Sequence, residues 1–156
     1  MTVQTGTGVT VAIGTIATAT TLAQFEADSY TAVGEVSEVG EFGDARNIVT
    51  WSSLADGRVR KARGSADSGD VPVTYGYDST NSGQDAIRTA FNVTSQSADE
   101  FNFRVQLNDQ ISTNPTTFYF RARIAGLRMQ SISNDGIVTR VAQLAVNSAV
   151  IEKEAA

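Results

Sequence analysis

Strict alternation of apolar and polar residues marks two segments of this chain as strands. Between Glu100 and Leu107 every second residue is apolar, and the residues between them are charged or polar. The segment 71–77 has the same period of two, carried by alternating valines and tyrosines. Because successive side chains of a strand point to opposite faces, this pattern predicts two strands that each bury one face.

A helix is predicted between these strands, at about residues 82–92. Ser82 and Asp85 have the spacing of a capping box. The apolar residues that follow lie on one face at helical spacing: Ala86, Ile87, Ala90 and Phe91. We therefore expect this face, including Phe91, to dock on the sheet.

The C-terminal third predicts a long hairpin. Its strands are expected at Thr117–Ser133 and Gly136–Ile151, joined by the turn sequence Asn134-Asp135-Gly136. With the shorter candidates this makes about six or seven strands and one helix. The fold class predicted is mainly β: an antiparallel β-sandwich or barrel with one flanking helix.

The first 70 residues are less regular. Residues 1–21 are uncharged and rich in Thr and Gly; a VTVAIG stretch could pair as a strand, but we interpret the segment as an N-terminal arm before a single domain at 22–156. Residues 44–70 carry turn-forming pairs and are expected to form a long loop. Between them Glu35, Glu38 and Glu41 recur every third residue, which predicts a twisted or bulged strand.

Composition removes most enzyme chemistry from consideration. The 156 residues include no His and no Cys, which excludes the common nucleophile–histidine sites, the usual zinc ligand sets and disulfides. We expect no catalytic site, no metal and no cofactor. A formal net charge of −5 disfavours a protein that grips DNA phosphates. No signal sequence or membrane span is recognisable, so we expect a soluble protein made in the cytoplasm.

Charge is segregated along the chain. Residues 1–44 hold six carboxylates and no cation, whereas residues 46–63 hold five cations and one carboxylate. Such segregation permits head-to-tail contact between identical subunits. The candidates for this contact are Arg58, Arg60, Lys61, Arg63, Glu35, Glu38 and Glu41. A solvated basic loop and a solvated acidic face are the alternatives.

The order of four segments resembles the tail tube proteins of long-tailed bacteriophages and related particles. These are Tyr30–Val36 running into Gly40–Asp44, Thr50–Leu54 followed by Asp56–Lys61, the 71–77 strand with the helix from Gly83, and the closing hairpin from Tyr119 to Glu152. The resemblance spans about residues 22–152. It implies a non-enzymatic subunit whose hexameric rings stack into a hollow tube that passes DNA during ejection, with the 44–70 loop as the stacking element.

The resemblance also implies partners and a location. The partners are other copies of the chain, a tape measure protein and a tail terminator; DNA passes without specific binding, and no membrane is involved. The location implied is the virion tail, assembled in the bacterial host cytoplasm. A tail terminator or head decoration protein is the alternative role, and a carbohydrate-binding β-sandwich is the alternative from another class.

A tube of this kind needs a bore that does not hold DNA. Negative or neutral lining repels phosphate, and the candidates for the bore are Asp99, Glu100 and Asp109. Alternation places Glu100 opposite Phe101 and Phe103, away from the subunit core. We expect Arg121 and Arg123 to lie away from the bore or to pair with acids.

Overall fold

The computed structural model describes residues 3–109 and 113–155; residues 1, 2, 110–112 and 156 of the expected arm and domain lie outside them. The described residues form two helices, α1 (Leu22–Glu26) and α2 (Ser82–Phe91), and ten strands. The strands are β1 (Thr10–Ile16), β2 (Thr31–Val33), β3 (Val36–Val39), β4 (Ala45–Ser52), β5 (Val59–Asp67), β6 (Asp70–Gly76), β7 (Glu100–Gln106), β8 (Thr117–Met129), β9 (Thr139–Val146) and β10 (Ile151–Lys153).

Eight strands form one antiparallel sheet. Its order is β2-β1-β7-β8-β9-β6-β3, with β10 pairing the start of β8 on the side that β9 leaves open. Of the ten described strands, β4 and β5 pair only with each other. The predicted mainly β, antiparallel class is confirmed, although the described residues contain more strands than the six or seven expected.

The core lies on the face of this sheet that α2 covers. The rings of Phe103 and Phe120 stack across β7 and β8 with their centroids 5.8 Å apart. Ile87 of α2 reaches the same buried cluster. Burial of the alternate residues of β6 and β7 confirms both period-two predictions as far as Tyr75 and Val105.

The predicted helix is confirmed, but its start and its buried face differ in detail. Asn81, not Ser82, is the N-cap, and its side chain accepts a hydrogen bond from Gln84 N. Gly83 is buried against β2, where a Cβ would lie 2.0 Å from the Ala32 carbonyl oxygen. The expectation that Phe91 docks on the sheet is wrong, because the last turn of α2 leaves Phe91 41% exposed.

Phe91→Ala is consequently expected to lower the free energy of unfolding by only about 1 kcal/mol, because a half-exposed ring loses little burial when removed. Ile87→Ala, on the same helix but fully buried, should cost about 2–5 kcal/mol. Urea denaturation of the two variants beside the wild type measures both. Equal losses would mean that Phe91 is packed after all.

The expected N-terminal arm is corrected by β1. Residues 10–16 lie inside the sheet, between β2 and β7, with Val11 and Ile13 in the core. Ala12 is buried on the opposite face. The glycines and threonines around this strand weaken its sequence pattern, and its pairing partners at 31–33 and 101–106 are not visible from the local sequence.

The expected 44–70 loop is also corrected, because it contains the β4–β5 hairpin. Ile48, Val49 and Trp51 favour a strand, as β-branched and aromatic residues do. Gly57 takes a left-handed conformation, with φ of 63°, in the connection between the strands. The turn signals therefore mark the ends of a hairpin and not a continuous loop.

The predicted C-terminal hairpin pairs β8 with β9, from Ala122↔Val146 to Met129↔Arg140. Its strands are shorter than expected, and residues 130–138 connect them. Asn134-Asp135-Gly136 lies within this connection, where Gly136 N donates to Ser133 O. The predicted turn is therefore present, but the strands on either side of it end earlier than expected.

Candidate functional site

The β4–β5 hairpin is a two-stranded ribbon exposed on both faces. Every residue of β4 is exposed, and Trp51 keeps 70% of its surface accessible. Among the described helices and strands, these two pack extensively only against each other. An isolated two-stranded hairpin is marginally stable in water, so exposed aromatic and aliphatic residues on one indicate a surface that becomes covered.

The register divides the hairpin into two different faces. Trp51 pairs with Arg60 and Val49 with Ala62, so these side chains share one face. Lys61 and Arg63 lie on the other face, together with Ile48 and Val59. Each face therefore combines apolar side chains with cations.

The basic candidates lie together on β5 and the turn before it. Arg60 Nη2 pairs with Asp56 Oδ2 at 2.7 Å, across an exposed (i,i+4) spacing. Among the described residues, no carboxylate lies within ion-pair distance of Arg58, Lys61 or Arg63. Three of the four predicted cations are therefore free to contact another molecule.

The acidic candidates are not brought together. Glu35 precedes β3 with φ of 59°, and its carbonyl oxygen accepts from Gly76 N at 2.8 Å. Glu38 lies on β3, after a register shift that confirms the predicted bulge. Glu41 lies beyond β3, at the base of the hairpin.

That base is an acidic cleft of about 510 Å³, here called the basal cleft. It is lined by residues 41–45, Asn47 and residues 67–70, which bring four carboxylates together: Glu41, Asp44, Asp67 and Asp70. Asp67 and Asp70 come from the far side of the hairpin, about 25 residues later in the chain. The acidic group was missed by sequence reasoning because only the hairpin's closure brings its two halves together.

Hydrogen bonds tie one of these carboxylates, Asp44, to the segment after β9. The Ser68 hydroxyl bonds to Asp44 Oδ1, and Val150 N donates to the same oxygen at 3.3 Å. Gly43 and Gly69, with φ of 139° and 69°, flank the hairpin on its two strands. Asp44 thereby ties the base of the hairpin to the segment after β9.

The bore candidates Asp99 and Glu100 lie in a charged network on the sheet. Arg121 Nε is 2.6 Å from Glu100 Oε2, Arg123 Nη2 is 3.0 Å from Glu100 Oε1, and Arg123 Nε is 2.9 Å from Asp99 Oδ1. The expectation that Arg121 and Arg123 pair with acids is confirmed. Glu100 is 18% exposed and Arg121 16%, so Glu100 is not the freely solvated acid that the strand pattern indicated.

The third bore candidate, Asp109, follows β7. Its Oδ2 accepts from Thr116 N at 3.2 Å and from the Thr116 hydroxyl at 2.8 Å. These bonds close the connection between β7 and β8. The three bore candidates therefore already have polar partners within the subunit.

A second polar cluster, which sequence reasoning missed, holds α1 to the sheet. Asp28 Oδ2 accepts from Thr15 N at 3.0 Å and from Asn102 Nδ2 at 2.9 Å. The Arg104 guanidinium lies 4.8 Å from the centre of the Tyr30 ring. Burial, together with the nearby Asp28 charge, raises the pKa of Tyr30 above its ordinary value. Asn102 is 1% exposed although alternation placed it outward, because this cluster covers the second face of β7.

Two kinds of site are not found in residues 3–109 and 113–155. No group of three or more carboxylate, His or Cys side chains there is placed to hold a metal ion. No helix in these ranges is long and apolar enough to cross a membrane.

Solved structures of tube and terminator proteins share this architecture. The PVC sheath/tube terminator of an extracellular contractile injection system aligns over 98% of both chains at 12% identity, with a TM-score of 0.73. The anti-feeding prophage tube terminating cap aligns over 99% of this chain and 95% of its own, at 12% identity and a TM-score of 0.70. The SPP1 tail tube aligns over 96% of this chain and 78% of its own, at 18% identity and a TM-score of 0.67.

The chain has the tail-tube fold. No protein-family model matches the sequence and no curated protein matches it, so the likeness resides in the three-dimensional structure. Within this tail-tube fold, the large sheet and α2 form the packed body, and the β4–β5 hairpin projects from it.

Proposed function

We propose that this protein is a structural, non-enzymatic subunit of a phage or phage-like tail tube. Six copies close a ring, rings stack into a hollow tube, and DNA passes through the tube during ejection. The observation that carries this proposal is the β4–β5 hairpin: a projecting ribbon with exposed Trp51 and unpaired cations, on a body with the tail-tube fold. Such a ribbon is marginally stable by itself and gains stability when another subunit covers it.

The hairpin provides the contact between subunits. Its basic residues Arg58, Arg60, Lys61 and Arg63 supply orientation, because complementary charges fix the register of an interface. Its apolar residues supply buried area. Of the acids expected to face them, Glu41 lies at the base of the hairpin, whereas Glu35 and Glu38 lie outside the cleft there.

The proposed bore would be close to neutral where Asp99 and Glu100 face it. Arg121 and Arg123 balance these two carboxylates within the subunit. A neutral or negative lining passes DNA, whereas unpaired arginines would attract its phosphates. Asp109 would add negative charge at the end of β7. The pairing of Arg121 and Arg123 with acids would allow the arginine-rich β8–β9 hairpin to form part of a DNA conduit.

The proposal places the protein in the virion tail, assembled in the host cytoplasm beside a tape measure protein and a tail terminator. A terminator role is the second candidate. It is favoured by the alignments with a sheath/tube terminator and a tube terminating cap, which cover nearly the whole of each chain. The two roles differ in whether assembly continues beyond one ring.

Negative-stain microscopy of the purified protein tests both roles. A tube subunit is expected to form hollow tubes many rings long, because a stacking contact that does not close on itself propagates. A terminator is expected to stop at single rings. Monomers at every concentration, with neither rings nor tubes, would contradict the tube proposal.

A further inference from the structure

We propose that the basal cleft is the receptor for the basic β4–β5 hairpin of a second copy of this chain. The inference rests on the proposed tube function and names the surface that the hairpin contacts. Glu35 and Glu38, which lie outside the cleft, have no part in it.

The cleft is complementary to the hairpin in charge. It presents four carboxylates, while cations are absent from the residues that line it. Among the described residues, Glu41 and Asp70 make no side-chain hydrogen bond or ion pair, so their charges are uncompensated within the subunit. On the hairpin, Arg58, Lys61 and Arg63 are uncompensated in the same way.

The cleft also offers apolar contact. Phe42 lines it, and its ring lies 5.2 Å from that of Phe118 in an edge-on arrangement, which holds the ring in place. The hairpin carries Trp51 and Leu54, both largely exposed. Burying such side chains at the centre of a charged rim is how specific interfaces are built.

The hairpin cannot fill the cleft of its own subunit. The cleft is formed where β4 begins and β5 ends, whereas Arg58 precedes β5. Asp67 follows Arg58 by nine positions of extended chain, which is about 30 Å at ~3.3 Å per residue. The occupant is therefore the hairpin of another copy.

This contact joins two different surfaces of the same chain, so it is head-to-tail. Each subunit offers one hairpin and one cleft, and binding at one leaves the other open. A contact of this kind generates a ring if its rotation closes and an open filament if it does not. Because it joins opposite charges, it should weaken as salt is added.

Charge reversal tests the pairing directly. The hairpin variant carries R58E, K61E and R63E, and the cleft variant carries E41K and D70K; Arg60 and Asp44 keep their partners within the subunit. Each variant alone brings like charges together and is expected to raise the protein concentration needed for tubes at least about tenfold. Mixed in equal amounts, the two should assemble near the wild-type concentration, since each hairpin then meets a cleft of opposite charge. A single chain with all five substitutions should also assemble alone.

The control variant, D135K with E154K, makes the same charge change as the cleft variant, at exposed positions outside the cleft, and should assemble normally. Thermal melting checks that every variant is folded. If a larger set of substitutions prevents folding, K61E as the hairpin variant and E41K as the cleft variant give the same test, mixed together or combined in one chain. Normal tubes from either reversed variant alone, or no recovery on mixing, would overturn the cleft proposal while leaving the tube function intact. A wild-type protein that forms no tube would instead overturn the tube function.

Discussion

Replacing Glu100 with lysine is expected to lower the free energy of unfolding by about 3 kcal/mol, the lower end of the loss for breaking a buried ion pair. The substitution removes the partner of Arg121 and places a third cation beside Arg121 and Arg123. It also removes the acceptor for Asn147 Nδ2. The lower end applies because both side chains of the Glu100–Arg121 pair retain some contact with solvent.

Urea denaturation followed by circular dichroism measures this loss. Glu100→Gln keeps the shape and an acceptor oxygen, so its loss should be smaller than that of Glu100→Lys. Asp135→Lys, at an exposed position, should change stability by no more than about 0.5 kcal/mol. If Glu100→Lys lowered the free energy of unfolding no more than Asp135→Lys does, the ion pairs of Glu100 would not contribute to folding. A defect in DNA ejection without any loss of stability would then indicate that Glu100 acts only in the bore.

Phe120→Ala should lower the free energy of unfolding by about 3–5 kcal/mol, the usual range for a fully buried aromatic side chain. Phe120 is 0% exposed and lies between two other rings, 5.8 Å from Phe103 and 6.3 Å from Phe42. Its removal would leave a cavity at the centre of the main cluster, since the surrounding strands are held in place by their pairing with neighbours.

Phe120→Leu is the matched control for this prediction, because it keeps most of the apolar volume and should cost clearly less. The midpoint of urea denaturation should fall in the order wild type, leucine variant, alanine variant, with an unchanged slope. A loss below about 1 kcal/mol for the alanine variant would contradict this prediction, because it would mean that the core relaxes around the missing ring.

Local sequence was sufficient to predict the helices and strands that bury one face in the core, because burial of one face leaves a periodic pattern of apolar residues. The alternation in 71–77 and 100–107 predicted β6 and β7 because each strand buries one face in the main core. The spacing of Ile87 and Ala90 predicted α2 for the same reason. The absence of His and Cys removed whole classes of chemistry without any structure.

Tertiary structure decided the features that depend on distant partners. β1 joins the sheet because β2 and β7 pair with it, and neither pairing is visible in its Thr- and Gly-rich sequence. Asn102 is buried because Asp28, 74 residues away, accepts its hydrogen bond. Buried Gln84 likewise donates to Gly34 O and Gly76 O, joining α2 to two separate strand ends.

The charges follow the same division. Sequence alone established that an acidic segment, residues 1–44, precedes a basic one, residues 46–63. It also predicted that Arg121 and Arg123 lie away from the bore or pair with acids. Only the pairing of β7 with β8 places Arg121 and Arg123 against Glu100, and only closure of the β4–β5 hairpin brings Glu41 to the same cleft as Asp70. The physical reason is that the composition of a chain determines which charges are present, whereas their pairing depends on distances that the fold creates between residues far apart in sequence.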